Sequence, residues 1–246
     1  MARSPAGALV GSAARGEEQV VQQLNDARRA AEHGFRSVLI TDIGTLAAFD
    51  AMKREGLLPP SMEAKISVLL AVANPSAARV VTGLGAGTLN LPTDLTLAQM
   101  AAIRAATDLP LDIYIESSDE FGGFLRYGEL PHIIRVAAPV YLKFGLRNAP
   151  DVYPSGTHLE ATVTALSRER VRRAEIGLEL IRRELPKAVM SAPGPNGSAL
   201  VAPAGDTASA GDVVPAPDGD SRWATAHLER VISGPGLIPG ESPEER

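Results

Sequence analysis

The 246-residue sequence contains no cysteine. That excludes disulfides, thiol nucleophiles, and zinc or iron–sulfur clusters held by cysteine. It also lacks any run of the roughly 18 to 20 apolar residues that a membrane helix needs. Met1–Val10 holds one Arg and a few small apolar residues. A secretory signal needs an apolar run of about 7 to 15 residues. The expectation is a cytoplasmic protein with no membrane partner. Charge of one sign is not in large excess either: the formal net charge is −5. A mildly acidic chain has no bulk attraction for phosphate backbones, so nucleic acid is not expected as a partner. His33, His132 and His227 stand alone, and neither His-x-x-x-His nor His-Glu-x-x-His occurs. A dedicated zinc peptidase motif is therefore missing. So are the P-loop and a Gly-x-Gly-x-x-Gly after a first strand.

What is present fits a globular protein, with 45% hydrophobic and 22% charged residues. The length suffices for one sizeable core plus a tail. Residues 1–16 read as a flexible leader and 17–186 as the folded domain. Residues 187–246 are dominated by Ala, Pro, Gly, Ser and Asp. Such a composition cannot bury enough apolar surface to offset the entropy of ordering, and a disordered tail is expected. The tail carries four basic and eight acidic residues, so the mild acidity is its own and the body is nearly neutral. Within the tail, Trp223, Ala224, Leu228, Val231 and Ile232 would suit one docking helix turn; the plainer reading is a tail that samples helix.

The body alternates strand and helix patterns. A helix is expected over Glu17–Glu32. Ser37–Thr41 reads as a buried strand, and Ile43–Glu55 has helical spacing at Leu46, Phe49 and Met52 before Gly56 stops it. Ile66–Val72 reads as the next strand, with Asn74 capping a helix that Pro75 opens. Gly83–Gly87 reads as a turn and Thr88–Leu91 as a short strand. Thr96–Thr107 is a helix pattern, Leu111–Ile115 a strand, Glu129–Ala138 a short helix, and Val140–Phe144 a fifth strand. A long helix runs over Thr157–Leu185, with Leu159, Val163, Leu166, Ala174, Leu178, Ile181 and Leu185 on one face. Thr157 and Glu160 have the spacing of a capping box. Five alternations with short connections imply parallel strands and right-handed crossovers. The fold class is α/β, a parallel (β/α) barrel-like domain of the TIM type. It is incomplete, since a full barrel needs eight strands. An open sheet flank seeks a cover, so a second copy or a partner chain is expected there.

Several of these segments together resemble the collagenase-like peptidase family U32. Ile40-Thr-Asp42-Ile-Gly44 resembles the family's Asp-Leu-Gly strand end. Ser67–Asn74 and the small-residue helix after it resemble its Ser-Thr-Gln-x-Asn-Val-x-Asn segment. Leu84-Gly85, then Thr88–Leu97, resemble its Leu-Gly turn, strand and Glu-Leu-Ser-Leu helix entry. Lys143–Arg147, then Pro150-Asp151 and Tyr153, resemble its Lys-Ile-Glu-Gly-Arg stretch and Ser-Pro-Glu-Tyr continuation. The likeness spans roughly residues 24 to 183. It implies a barrel-like domain and a hydrolase acting on peptides. The chain departs from the family at Leu69, Ala71 and Gly145, where the family carries Gln, Asn and Glu. Ser117–Gly123 replaces its His-Gly, cysteine-containing segment. Some relatives hydroxylate RNA or quinone precursors with cysteine-bound iron–sulfur clusters; a cysteine-free chain has no such cluster by that ligation.

Reactive groups of parallel α/β folds gather beyond the C-terminal ends of the strands. The polar residues there are Asp42, Asn74, Asn90, Asp94, Glu116 and Lys143. Asp42, Glu116 and Lys143 are the candidate catalytic residues. Asn74, Asn90, Asp94 and Arg147 are the candidate substrate-binding residues. Two carboxylates suit acid–base work or a hard divalent cation held through oxygen. Lys143 and Arg147 suit a carboxylate or phosphate, Arg147 by a planar fork. Each also has an ordinary structural use, since Asp and Asn cap helices and a rim Lys pairs with an acid. Ser155 and His158 are close in sequence but lack a strained Gly-x-Ser-x-Gly elbow. The arginines from Arg168 to Arg183 are diluted by acids and read as a solvated helix face. Phe121, Phe124 and Tyr127 read as an apolar lid or as core under a long loop. Three functions remain open at this point: a U32-type peptidase, a binding or assembly module that has lost chemistry, and a small-molecule lyase or isomerase on the same scaffold.

Overall fold

Five strands alternate with six helices among the described residues, 13–152 and 155–191 of a computed structural model. The helices are α1 (Glu17–Glu32), α2 (Ile43–Arg54), α3 (Pro75–Gly83), α4 (Leu97–Arg104), α5 (Leu130–Ala137) and α6 (Glu160–Glu184). The strands are β1 (Ser37–Ile40), β2 (Glu63–Ile66), β3 (Ala86–Asn90), β4 (Leu111–Glu116) and β5 (Val140–Phe144). The alternation and the parallel pairings give an α/β fold of the partial (β/α)-barrel type. The expected leader and tail fall largely outside the described residues, as does the Trp223–Ile232 segment.

The chain divides into two units. The first comprises residues up to 72 together with 76–89. In it β1 pairs with β2, and β2 with β3, all parallel. Ile40 lies opposite Ile66, and Ile66 opposite Leu89, so these apolar side chains share one face. All three are buried. Helix α2 buries Leu46, Phe49 and Met52, the positions whose spacing marks its inner stripe. The second β-type run begins earlier than the Ile66–Val72 pattern predicts. β2 ends at Ile66 because the Ser67 side chain accepts the Leu69 amide and starts a 3-10 turn. Ala71 then takes a left-handed conformation, φ 55°. The polar Glu63 and Lys65 disguise the true strand, whose buried side chains are Ala64 and Ile66.

The second unit comprises 73–75 and the described residues from 90 onward. Thr96 caps α4 in a capping box with Gln99. Leu111, Ile113 and Ile115 of β4 are buried. Helix α5 faces α4 and α6 with Leu130, Ile133 and Ala137 buried. The capping box expected between Thr157 and Glu160 does not form. A 3-10 turn over Thr157–Leu159 precedes α6, which starts without a side-chain cap. Ser155 instead donates its hydroxyl to the Val152 carbonyl, 2.9 Å away.

Gly177 marks where α6 meets the sheet. A Cβ built there would lie 2.5 Å from Phe144 Cζ on β5. Alanine in a helix gains about 1 kcal/mol over glycine, but overpacking costs about 1–3 kcal/mol. The clash wins because the Phe144 ring also packs on Tyr127, 6.0 Å away between centroids, and swinging aside would break that contact. Gly177→Ala is expected to lower the melting temperature; a rise would show that α6 does not seat on Phe144.

Candidate functional site

Strand alternation in the second unit sorts its polar residues onto two sides. β4 reads Leu-Asp-Ile-Tyr-Ile-Glu and β5 reads Val-Tyr-Leu-Lys-Phe. The register sets Asp112 beside Tyr141 and Tyr114 beside Lys143. The Leu91 amide donates to the Asp112 carbonyl (3.0 Å), which sets Asn90 beside Asp112. Asn90, Asp112, Tyr114, Tyr141 and Lys143 therefore share one face, opposite the buried Leu91, Leu111 and Ile113.

This face holds two unusual groups. Asn90 is 2% exposed, and its Oδ1 has no hydrogen-bond partner. A buried acceptor without a partner costs about 1–3 kcal/mol, and such a group calls for an explanation. Lys143 places its Nζ 4.4 Å from the centre of the Tyr114 ring. Among the described residues no hydrogen bond or ion pair holds that Nζ. Desolvation by burial pushes the Lys143 pKa below the usual lysine value, and the Asp112 charge partly opposes it. Phe121 packs on the other partner of the pair, its ring 6.0 Å from Tyr114. Phe124 is exposed and Tyr127 turns elsewhere, so only Phe121 of the three aromatics approaches this face.

Glu116 goes to different neighbours. The β4–β5 register shifts between Tyr114 and Glu116, so Glu116 lies opposite Phe144 rather than continuing the Tyr114 side. Its carboxylate is 2% exposed and fully engaged. Tyr127 donates its hydroxyl to Oε2 at 3.0 Å, and the Arg147 amide donates to Oε1 at 3.3 Å. Arg173 Nη1 of α6 lies 3.5 Å from Oε2. The Tyr127 ring also packs against Phe144 at 6.0 Å. This is a clasp tying β4, the end of β5 and α6. Gly145 belongs to it: its amide donates to the Glu116 carbonyl at 2.7 Å, and a Cβ there would lie 3.0 Å from that oxygen. A side chain at this position would need the end of β4 to give by a few tenths of an ångström.

The remaining expected residues each have surroundings of their own. Asp42, in the first unit, caps α2: Oδ1 accepts the Thr45 amide at 2.7 Å and Oδ2 the Ala14 amide at 3.2 Å. Asn74 is exposed at the start of α3, and Asp94 is exposed in the turn before α4. The Arg147 side chain is half exposed and pairs with Asp119 at 3.3 Å. Of the seven, Glu116 and Arg147 meet directly, through the Arg147 backbone, while Asn90 and Lys143 share a face. Among the described residues no group of three or more His, Asp or Glu side chains is placed to hold a metal ion. Asp112, Tyr114 and Tyr141 escaped the sequence reading. Their signal was the two-residue period of polar side chains inside two apolar strands.

Burial pushes the Tyr127 hydroxyl up to about 12, and the bond to Glu116 adds to the rise. A folded-state value above the unfolded one keeps its full stabilisation below the unfolded value and loses it as pH climbs to the folded one. The wild type should therefore lose stability between the usual tyrosine value of 10.0 and about 12. Denaturant melts across that range should fall more steeply for the wild type than for Tyr127→Phe. Equal slopes would break the proposed coupling.

Residues 12–118 match the model of Peptidase family U32. The resemblance drawn from the sequence is borne out over that segment, which contains Asp42, Asn74, Asn90, Asp94 and Glu116 and stops short of Lys143 and Arg147. No curated protein matches the chain.

Proposed function

We propose that this chain is a U32-type peptidase that hydrolyses peptide bonds in the cytoplasm. The family match supports the hydrolase class. The observation that carries the site is the buried, unpartnered Asn90 Oδ1, which suits the N–H donors of a peptide backbone. Lys143 is the proton-handling residue. As a neutral amine it takes a proton from the attacking water and returns it to the leaving amine. The Asp112 charge steadies the ammonium formed in between. Phe121 limits water beside Tyr114. Glu116 acts as a positioning residue, since its oxygens already serve the clasp, while Asp42 is left to its cap on α2. Asn74, Asp94 and the Arg147 side chain belong to substrate contacts at the strand ends. A divalent cation is not required by this scheme.

A second reading has its own support. Around β1, Phe35, Leu39 and Ile43 are all large, apolar and about half exposed or more. Scattered exposed apolar residues are ordinary, but three within nine positions at a strand edge suit a docking face. On this reading the chain is a binding or assembly module, covered there by a second copy or a partner chain.

The two separate on one experiment. Purified protein is incubated with mixed peptides and gelatin, with and without divalent cations, and sized by light scattering. The peptidase reading expects turnover that falls at least about 100-fold in Lys143→Met, within the range general acid–base groups supply. It also expects the melting temperature of Lys143→Met at pH 7 to be equal or higher. A lowered folded-state value means that folding disfavours the ammonium the unfolded chain carries, so removing the amine relieves a cost. Absence of turnover in wild type, or full turnover in Lys143→Met, contradicts the peptidase reading. A dimer without turnover favours the module.

A further inference from the structure

Lys143 has a second chemistry open to it that does not depend on peptide hydrolysis. A lysine that is half-buried, unpaired and oriented is an amine nucleophile. The elements meet these requirements separately. β5 fixes the Lys143 backbone by its register with β4. The Tyr114 ring, 4.4 Å from Nζ, gives the stem and amine a defined seat. Among the described residues no carboxylate lies within ion-pair distance of Nζ, so the amine is not locked as a salt-bridged ammonium. Asp112 is 1% exposed, one alternation away on the neighbouring strand, and its charge acts on Lys143. Tyr141 stands beside Asp112. On the same face, the buried Asn90 Oδ1 has no hydrogen-bond partner in the protein.

We propose that Lys143 forms an imine with a small aldehyde or ketone bound on the face shared by Asn90, Asp112, Tyr114 and Tyr141. The neutral Nζ attacks the carbonyl carbon, and a C–N bond forms as the C=O π pair moves to oxygen. That oxygen takes a proton, Nζ gives one up to Asp112 or water, and a carbinolamine results. Protonation of the carbinolamine hydroxyl expels water and leaves the iminium. No oxidant or reductant enters, and water reverses the step. The Asn90 Oδ1 is the acceptor for a hydroxyl of the bound carbonyl compound. Such an imine is the shared starting point of carbon–carbon lyases and isomerases that act beside a carbonyl.

The test is reductive trapping on the full chain. Wild-type protein is incubated with pyruvate or with glycolaldehyde plus cyanoborohydride, then mapped by mass spectrometry. The chain has four lysines: Lys53, Lys65, Lys143 and Lys187. Trapping at Lys143 should exceed that at each of the other three by at least tenfold with at least one probe, and the excess should vanish in urea. Labelling at Lys143 no greater than at the other lysines overturns the proposal. So does an excess that persists in urea, since it would then owe nothing to the folded site. Because the readout is a covalent mass at one residue, it stands or falls apart from peptide turnover: trapping without peptidase activity removes only the hydrolase reading, and the reverse removes only this one.

Discussion

A single buried carboxylate holds the second unit together. Glu116 has no exposed surface to speak of, so its charge must be met inside the protein. Tyr127, the Arg147 amide and Arg173 meet it from a loop, a strand end and the last helix. Losing any one of them would leave part of a buried charge uncompensated, which typically costs more than an intact pair contributes. The geometry depends on the register shift after Tyr114, which swings Glu116 away from the Tyr114–Lys143 side. That one irregularity separates a carboxylate used for architecture from a lysine that no ion pair among the described residues holds. A regular β4 would have set Glu116 opposite Gly145, on the Lys143 side of the sheet and one alternation away from it.

The segment after β4 continues the same logic. The Ser117 hydroxyl accepts the Phe124 amide, and Thr93 donates to the Phe121 carbonyl. Arg126, 8% exposed, donates to the Thr93 carbonyl and pairs with Glu129. These bonds hold the loop over the end of β4 and keep Phe121 against Tyr114. Loop polarity here is spent on backbone groups, which is why a stretch rich in Ser, Asp and Gly stays ordered with no more than single 3-10 turns.

Much of the fold was legible because local signals agreed with tertiary ones. Helix α1 runs over the expected Glu17–Glu32, and β5 over the expected Val140–Phe144. Helix α2 ends one residue short of the expected Glu55, at Arg54. The misreadings have physical causes. Ile66–Val72 is apolar enough for a strand, but a serine that hydrogen-bonds two residues ahead ends the ladder. Thr157 and Glu160 have the spacing of a cap, yet the chain enters α6 through a 3-10 turn that leaves neither at the cap position. Asn90 and Lys143 lie at the ends of β3 and β5, where the sequence pattern puts them. Residue type alone could not say that Asp42 is taken by Thr45 and Ala14, or that Glu116 is turned aside by an extra residue in β4. Register irregularities leave no mark in composition.

Lys143 is a desolvated amine, held by no ion pair among the described residues, on the face opposite the Glu116 clasp. The most direct measurement is an NMR titration of the Lys143 side-chain nitrogen, assigned by Lys143→Arg. Titration below the usual lysine value, moving further down in Asp112→Asn, is what the arrangement predicts. Titration at or above the usual value, unmoved by Asp112→Asn, would place Lys143 in water or in an ion pair and contradict it.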